Sequence, residues 1–115
     1  MSNLDHLRVL KDGWLNGDGL APSKEGLDWL ERILVYHLQI TPYIYPTYEG
    51  GVSLEWGERF TTDNTITINL TEKTACCHFW DGARDDWYAK NLDLKSEWDM
   101  FLLHRIIERL NWMQV

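Results

Sequence analysis

The stretch Tyr43–Trp56, YIYPTYEGGVSLEW, decides the fold of this chain. Its second half, Val52–Trp56, alternates apolar with polar residues, as a strand does when one face of its sheet is buried and the other meets water. A turn around Glu49-Gly50-Gly51 joins it to a first strand, Tyr43–Pro46, and the proline favours a position at the edge of the sheet. The stretch therefore predicts an antiparallel hairpin in a sheet with one solvent-exposed face.

The period of two continues after this hairpin. Further strands are predicted over Asn64–Leu70 and Lys73–Trp80 and near Trp87–Leu92, because apolar and polar residues alternate there and short turn-like segments separate them. The fourth strand is expected to bury Ala75, Cys77 and Phe79. Together these segments predict an antiparallel meander of four to five strands.

Helical spacing of apolar residues is found on both sides of the strands. A short first helix is predicted around Leu4–Leu10, and Ser23 is the predicted N-cap of a second helix that includes Leu38 and ends by Pro42. Ser96 begins a last helix. The predicted apolar face of the last helix comprises Trp98, Phe101, Leu102, Leu103, Ile106, Ile107, Leu110 and Met113.

This order of elements predicts one α+β domain over residues 1–115. Its expected architecture is a two-layer sandwich, in which the two N-terminal helices and the one C-terminal helix pack on one face of the sheet. A chain of 115 residues is the usual size of a single domain. Seven tryptophans are many for this length, so we expect some of the rings to be partly exposed.

The net charge of −7 restricts the classes of partner. Nucleic acid and anionic membranes attract basic surfaces, so the charge argues against nonspecific binding to either. It is compatible with a basic protein partner, with a metal ion and with solubility alone, and moderate negative charge is a common source of solubility.

The cysteine content and the hydropathy pattern predict a soluble cytoplasmic protein. The adjacent Cys76 and Cys77 are the only cysteines, and neighbours on a strand point to opposite faces, so no disulfide is expected between them. The charged N-terminal segment lacks the apolar stretch of a signal peptide, and no apolar run is long enough to span a bilayer.

No pattern in the chain amounts to a catalytic or metal-binding signature. The four histidines lie far apart and match no zinc motif, and the glycine-rich loop Asn16–Gly19 departs from the calcium-loop pattern. We therefore predict no cofactor and no metal. Acid–base chemistry at paired carboxylates that include Glu55 stays open, and so does a modestly reactive Cys76 on the same face as His78.

Two phrases carry a resemblance to a family. DGWLNGDGLAPS at Asp12–Ser23 and YPTYEGGVSLEW at Tyr45–Trp56 resemble the motifs DGWLxGxGxAPS and YPTxEGGVxLEW of a set of small bacterial proteins without an established activity. The resemblance covers roughly residues 10–57 and implies a small, free-standing protein of bacterial or phage origin. The motif positions that it marks as a candidate site are Asp12, Trp14, Tyr45, Glu49, Glu55 and Trp56.

Three hypotheses about function follow from the sequence. The leading one is a non-enzymatic, acidic module that binds another protein in an antitoxin-, immunity-, anti-defence- or chaperone-like role. The alternative is a small ligand-binding protein or enzyme with a pocket between the loop Asp12–Asp18 and the hairpin Tyr43–Trp56. A homodimer formed through the edge strand Tyr43–Pro46 or the last helix is the third.

Overall fold

Five antiparallel strands form one sheet in the computed structural model, which describes residues 4–34, 43–56, 64–81 and 86–112. Within these ranges the helices and strands are α1 Asp5–Arg8, α2 Lys24–Ile33, β1 Tyr43–Pro46, β2 Val52–Trp56, β3 Asn64–Asn69, β4 Thr74–Asp81, β5 Asp86–Asp93 and α3 Glu97–Trp112. Each strand pairs with the next in the order β1-β2-β3-β4-β5. The predicted α+β class, the hairpin and the meander are confirmed, and β1 with Pro46 lies at an edge.

One face of the sheet is buried in a hydrophobic core that it shares with the helices. The strands contribute Ile44, Val52, Leu54, Trp56, Ile66, Ile68, Ala75, Cys77, Phe79 and Leu92, and the helices contribute Leu7, Leu27, Leu30, Leu103, Ile106, Ile107 and Leu110. The predicted burial of alternate strand residues is thereby confirmed. The other face carries mostly short polar side chains.

The start of α2 follows the predicted cap. Ser23 is extended, and its Oγ accepts a hydrogen bond from the backbone nitrogen of Gly26 at 3.0 Å. A Cβ placed on Gly26 would lie 2.8 Å from Leu70 Cβ. Because glycine has no side chain, α2 can pack closely against the connection between β3 and β4. The predicted positions of Leu38 and Pro42 lie outside the described residues.

The exposed face of α3 corrects part of the sequence interpretation. Trp98 and Phe101 are 67% and 53% exposed, whereas the helical spacing predicts both on the buried face. They stack on each other, with ring centroids 5.7 Å apart, and helical periodicity places them on one stripe with Arg105 and Glu108. That stripe lies opposite the buried residues of α3 and meets water. Met113 lies outside the described residues.

Side chains of α1 connect it to α2 and to the sheet. Arg8 donates to Asp28 at 2.7 Å and to Glu31 at 2.8 Å. Hydrogen bonds from Arg8 and Lys24 lower the pKa of Asp28, against a smaller opposing effect of burial. His6 Nε2 lies 3.0 Å from the carbonyl oxygen of Ile44, to which it donates. The edge strand β1 therefore has one of its outward carbonyl groups covered by α1.

No helix in the described part of the chain has the length and apolarity that crossing a lipid bilayer requires.

Candidate functional site

The glycine-rich loop that follows α1 is stabilised by its own side chains. Asp12 Oδ1 accepts from the backbone nitrogen of Ala21 at 2.9 Å, and Trp14 Nε1 donates to the carbonyl oxygen of Leu20 at 2.8 Å. The Trp14 ring lies against Gly19, where an added Cβ would be 3.1 Å from the ring atoms. These two candidate site residues hold the shape of the loop.

This loop docks on the turn between β1 and β2. Leu20 donates its backbone N–H to the carbonyl oxygen of Tyr48 at 2.9 Å, and Leu20 and Glu49 form a parallel bridge. Gly50 has a φ of +85°, and a Cβ there would lie 3.4 Å from Leu20 Cβ and from the carbonyl oxygen of Ala21, so glycine suits both the backbone conformation and the close approach. The structure thereby brings together the two phrases that carry the family resemblance.

The docked loop and turn present apolar side chains to solvent. Leu15, Leu20 and Tyr48 are 45%, 56% and 59% exposed, and we refer to these three residues as the exposed corner. Asp18 and Glu49 are exposed beside them, and the backbone of Asp18 pairs with that of Leu15 in an isolated antiparallel β-bridge. The two segments, 12–21 and 47–51, contain no lysine or arginine. The corner is therefore an apolar surface flanked by acidic side chains.

The remaining candidate residues lie on strands. Glu55 is half-buried on the polar face of the sheet, between Tyr43 of β1 and Thr65 of β3. Tyr45 shares that face and stacks on Tyr43 with ring centroids 6.5 Å apart. The Tyr45 hydroxyl is buried and has no hydrogen-bond partner among the residues that the structure describes. Trp56 is completely buried and belongs to the core.

An open groove of about 530 Å³ lies at one end of the polar face. Residues of the β1–β2 turn, of β3, β4 and β5, and of the first turn of α3 line it. The polar side chains of this lining include Glu49, Asn69, Cys76, Asn91, Asp93 and Asp99. The lining includes no residue of the loop 12–18, so the groove differs in position from the pocket that the alternative hypothesis expects.

Hydrogen bonds fix three of the polar side chains that line the groove. Asp99 Oδ2 accepts from the backbone nitrogen of Asp93 at 2.8 Å. Asp93 Oδ1 accepts from the backbone nitrogen of Lys95 at 3.0 Å, and the Lys95 ammonium lies 3.9 Å from the same oxygen. Asn69 Oδ1 accepts from the backbone nitrogens of the two residues that follow Leu70, at 3.0 and 2.9 Å. The groove therefore has a defined arrangement of hydrogen-bond acceptors.

The adjacent cysteines occupy opposite environments. Cys76 is exposed and lines the groove. Cys77 is buried in the core, and this burial, with a smaller contribution from Cys76, raises the pKa of its thiol to about 12. Cys76 is therefore the cysteine that a reagent in solution can reach at neutral pH.

Glu49 and the turn are the part of this surface that the sequence predicts. Asp93, Asn91 and Asp99 are not predicted, because they line the groove only through the strand register and the position of α3. No group of three or more His, Cys, Asp or Glu side chains suited to a metal ion exists in the described ranges.

Comparison with protein families, with curated proteins and with solved structures finds no match to this chain.

Proposed function

We propose that this chain is a non-enzymatic module that binds another protein, and that the exposed corner contacts the partner. The observation that carries the proposal is the exposure of Leu20 and Tyr48, 56% and 59%, on backbone that hydrogen bonds hold in place. Tyrosine buries a large area at a low cost in side-chain entropy, and ordered anchors of this kind often dominate binding energy. A preorganised apolar corner suits recognition of a protein surface.

Charge supports a basic partner. The chain has a net charge of −7, and the exposed Asp18 and Glu49 flank the corner. Complementary charges around an apolar contact increase the rate of association and disfavour other acidic proteins as partners. The same charge speaks against nucleic acid and anionic membranes as ligands.

The observations give less support to a pocket between the loop Asp12–Asp18 and the hairpin. Asp12 and Trp14, which such a pocket would use, make hydrogen bonds within the loop itself. The backbone of Leu20 joins the loop directly to the turn at Tyr48. A catalytic role of Glu55 stays an alternative that Glu55→Gln would test.

The proposal also includes the finer architecture and the cellular setting. We infer a two-layer sandwich in which all three described helices cover one face of the sheet, and the core that helices and strands share supports this. The acidic composition and the free, adjacent cysteines suit a cytoplasmic module. The resemblance of the two motifs adds a bacterial or phage origin. A small acidic domain of that origin suits an antitoxin-, immunity-, anti-defence- or chaperone-like role.

Affinity purification from the native host at low and high salt tests the proposal. We expect a stoichiometric partner with the natural chain, and a loss of about 30-fold or more in affinity for Leu20→Ala/Tyr48→Ala, as for truncation of interface anchors. Val9→Ala is the matched control, because Val9 is an exposed apolar residue (76%) outside the corner. Recovery of no partner at either salt concentration, or equal recovery with the double variant, would contradict the proposal. Light scattering identifies the case in which the partner is a second copy.

A further inference from the structure

We propose that the groove at the end of the polar face binds lysine or arginine side chains on an extended basic segment of the partner. This inference rests on the proposed function, because it names the chemistry of the partner and a second contact surface. Its first support is shape. A volume of about 530 Å³ is within the usual range for ligand sites, and it greatly exceeds the space that a single ion needs.

The second support is the chemistry of the lining. Its described side chains include the carboxylates of Glu49, Asp93 and Asp99, together with threonine hydroxyls and the amides of Asn69 and Asn91. No lysine or arginine is among them. Ammonium and guanidinium groups carry several donors and no acceptor, so they complement the carboxylate, hydroxyl and amide oxygens of this lining.

The spacing of the acceptors favours an organic cation over a metal ion. The described residues offer no cluster of three ligands that could surround a metal, since Glu49 lies on the β1–β2 turn while Asp93 and Asp99 lie at β5 and α3. Carboxylates on separate walls match a ligand whose donors are spread along a chain. Lys95, 3.9 Å from Asp93 Oδ1, shows that an ammonium group already approaches this wall from outside.

Continuity with the exposed corner favours a protein segment as the ligand. Tyr48 belongs to the corner, and its neighbours Glu49, Gly50 and Gly51 line the groove. One turn therefore carries both surfaces. A partner segment can place an apolar residue at the corner and basic residues in the groove, so that the two contacts belong to one chain and reinforce each other.

The test uses a defined probe, the acetylated and amidated peptide (Gly-Arg)₃, and the full chain. Alkylation of Cys76 reports occupancy of the groove, and the buried Cys77 is the internal control. If bound peptide shields Cys76, the rate of alkylation falls by the factor 1 + [peptide]/Kd, about tenfold at ten times Kd. We expect that protection at low salt and less of it at high salt.

Two double variants with the same net charge distinguish the effect of the groove carboxylates on binding from the effect of the net charge. Glu49→Gln/Asp93→Asn is expected to weaken peptide binding about threefold to tenfold, as for the loss of two exposed ion pairs. Glu25→Gln/Glu108→Gln removes the same charge from exposed helical positions outside the groove and is expected to change affinity less than about twofold. Lys95→Met is expected to strengthen binding, because it removes a competing cation.

Each outcome decides the inference. Protection of Cys76 that the groove variant weakens and the control variant retains supports it. Absence of protection, equal effects of the two double variants, or equal protection by free arginine at the same guanidinium concentration overturns it. If the corner variant loses the partner in purification while the peptide gives no protection, the proposed function stands and only the groove inference fails.

Discussion

The substitution Gly26→Ala separates helix propensity from packing. Gly26 lies in the first turn of α2, and propensity alone predicts that alanine would stabilise the helix by up to about 1 kcal/mol. In the structure the new Cβ would be 2.8 Å from Leu70 Cβ and 2.8 Å from Ser23 Oγ. The first atom is fixed to backbone and the second is the N-cap of the helix, so we expect destabilisation.

The expected size follows from these two contacts. Overpacking against a buried neighbour such as Leu70 costs about 1–3 kcal/mol. Displacement of Ser23 Oγ weakens the N-cap, which contributes about 1 kcal/mol. After subtraction of the gain in propensity, we expect the free energy of unfolding to fall by about 1–3 kcal/mol.

Equilibrium unfolding in urea, followed by tryptophan fluorescence, measures this change. The exposed neighbour Glu25 supplies the control: Glu25→Ala is expected to be more stable than Glu25→Gly by about 0.5–1 kcal/mol, which is the propensity difference alone. At position 26 the order is expected to be reversed, so that the alanine variant is less stable than the chain with the natural glycine. An increase in the urea midpoint of Gly26→Ala with an unchanged m-value would refute the packing argument.

Two further predictions concern single side chains. Tyr45→Phe is expected to raise the free energy of unfolding by up to about 1 kcal/mol, because the buried hydroxyl has no partner among the described residues and an unsatisfied polar group is costly; a loss of stability on thermal unfolding would reveal a partner and contradict this. Arg8→Ala is expected to lower the urea midpoint at pH 7. Because Arg8 and Lys24 depress the pKa of Asp28 below its ordinary 3.8, the stabilisation by this carboxylate is complete above that value and is lost as the pH falls through the depressed pKa. The difference in midpoint between Arg8→Ala and the natural chain should therefore narrow below about pH 4, and a constant difference down to pH 2 would speak against the ion pair.

The sheet was predictable because its pattern is local. Alternation in Val52–Trp56 and in β3 fixes which side chains are buried, and the register follows once one face is apolar. The N-cap at Ser23 was predictable for the same reason, since a cap depends on residues within one turn. These features need no information from distant parts of the chain.

The exposed stripe of α3 and the groove could not be predicted in this way. Apolar residues surround much of α3, so which stripe is buried depends on how the helix lies on the sheet, and Trp98 and Phe101 lie on the outer one. Asp93 and Asp99 line the same groove as Glu49 because five strands pair in one sheet. The roles of Asp12 and Trp14 were easier to predict from the sequence, because a glycine-rich loop needs local side-chain hydrogen bonds to be ordered.

The meander also bears on the order of events in folding. Each strand pairs with its immediate neighbour in the chain, so the sheet forms by closing short segments, which costs little chain entropy. The contact of His6 with Ile44 joins residues 38 positions apart, and it closes a longer segment. We therefore expect the hairpins to be structured in the folding transition state, with the N-terminal helix docking onto β1 in a later step.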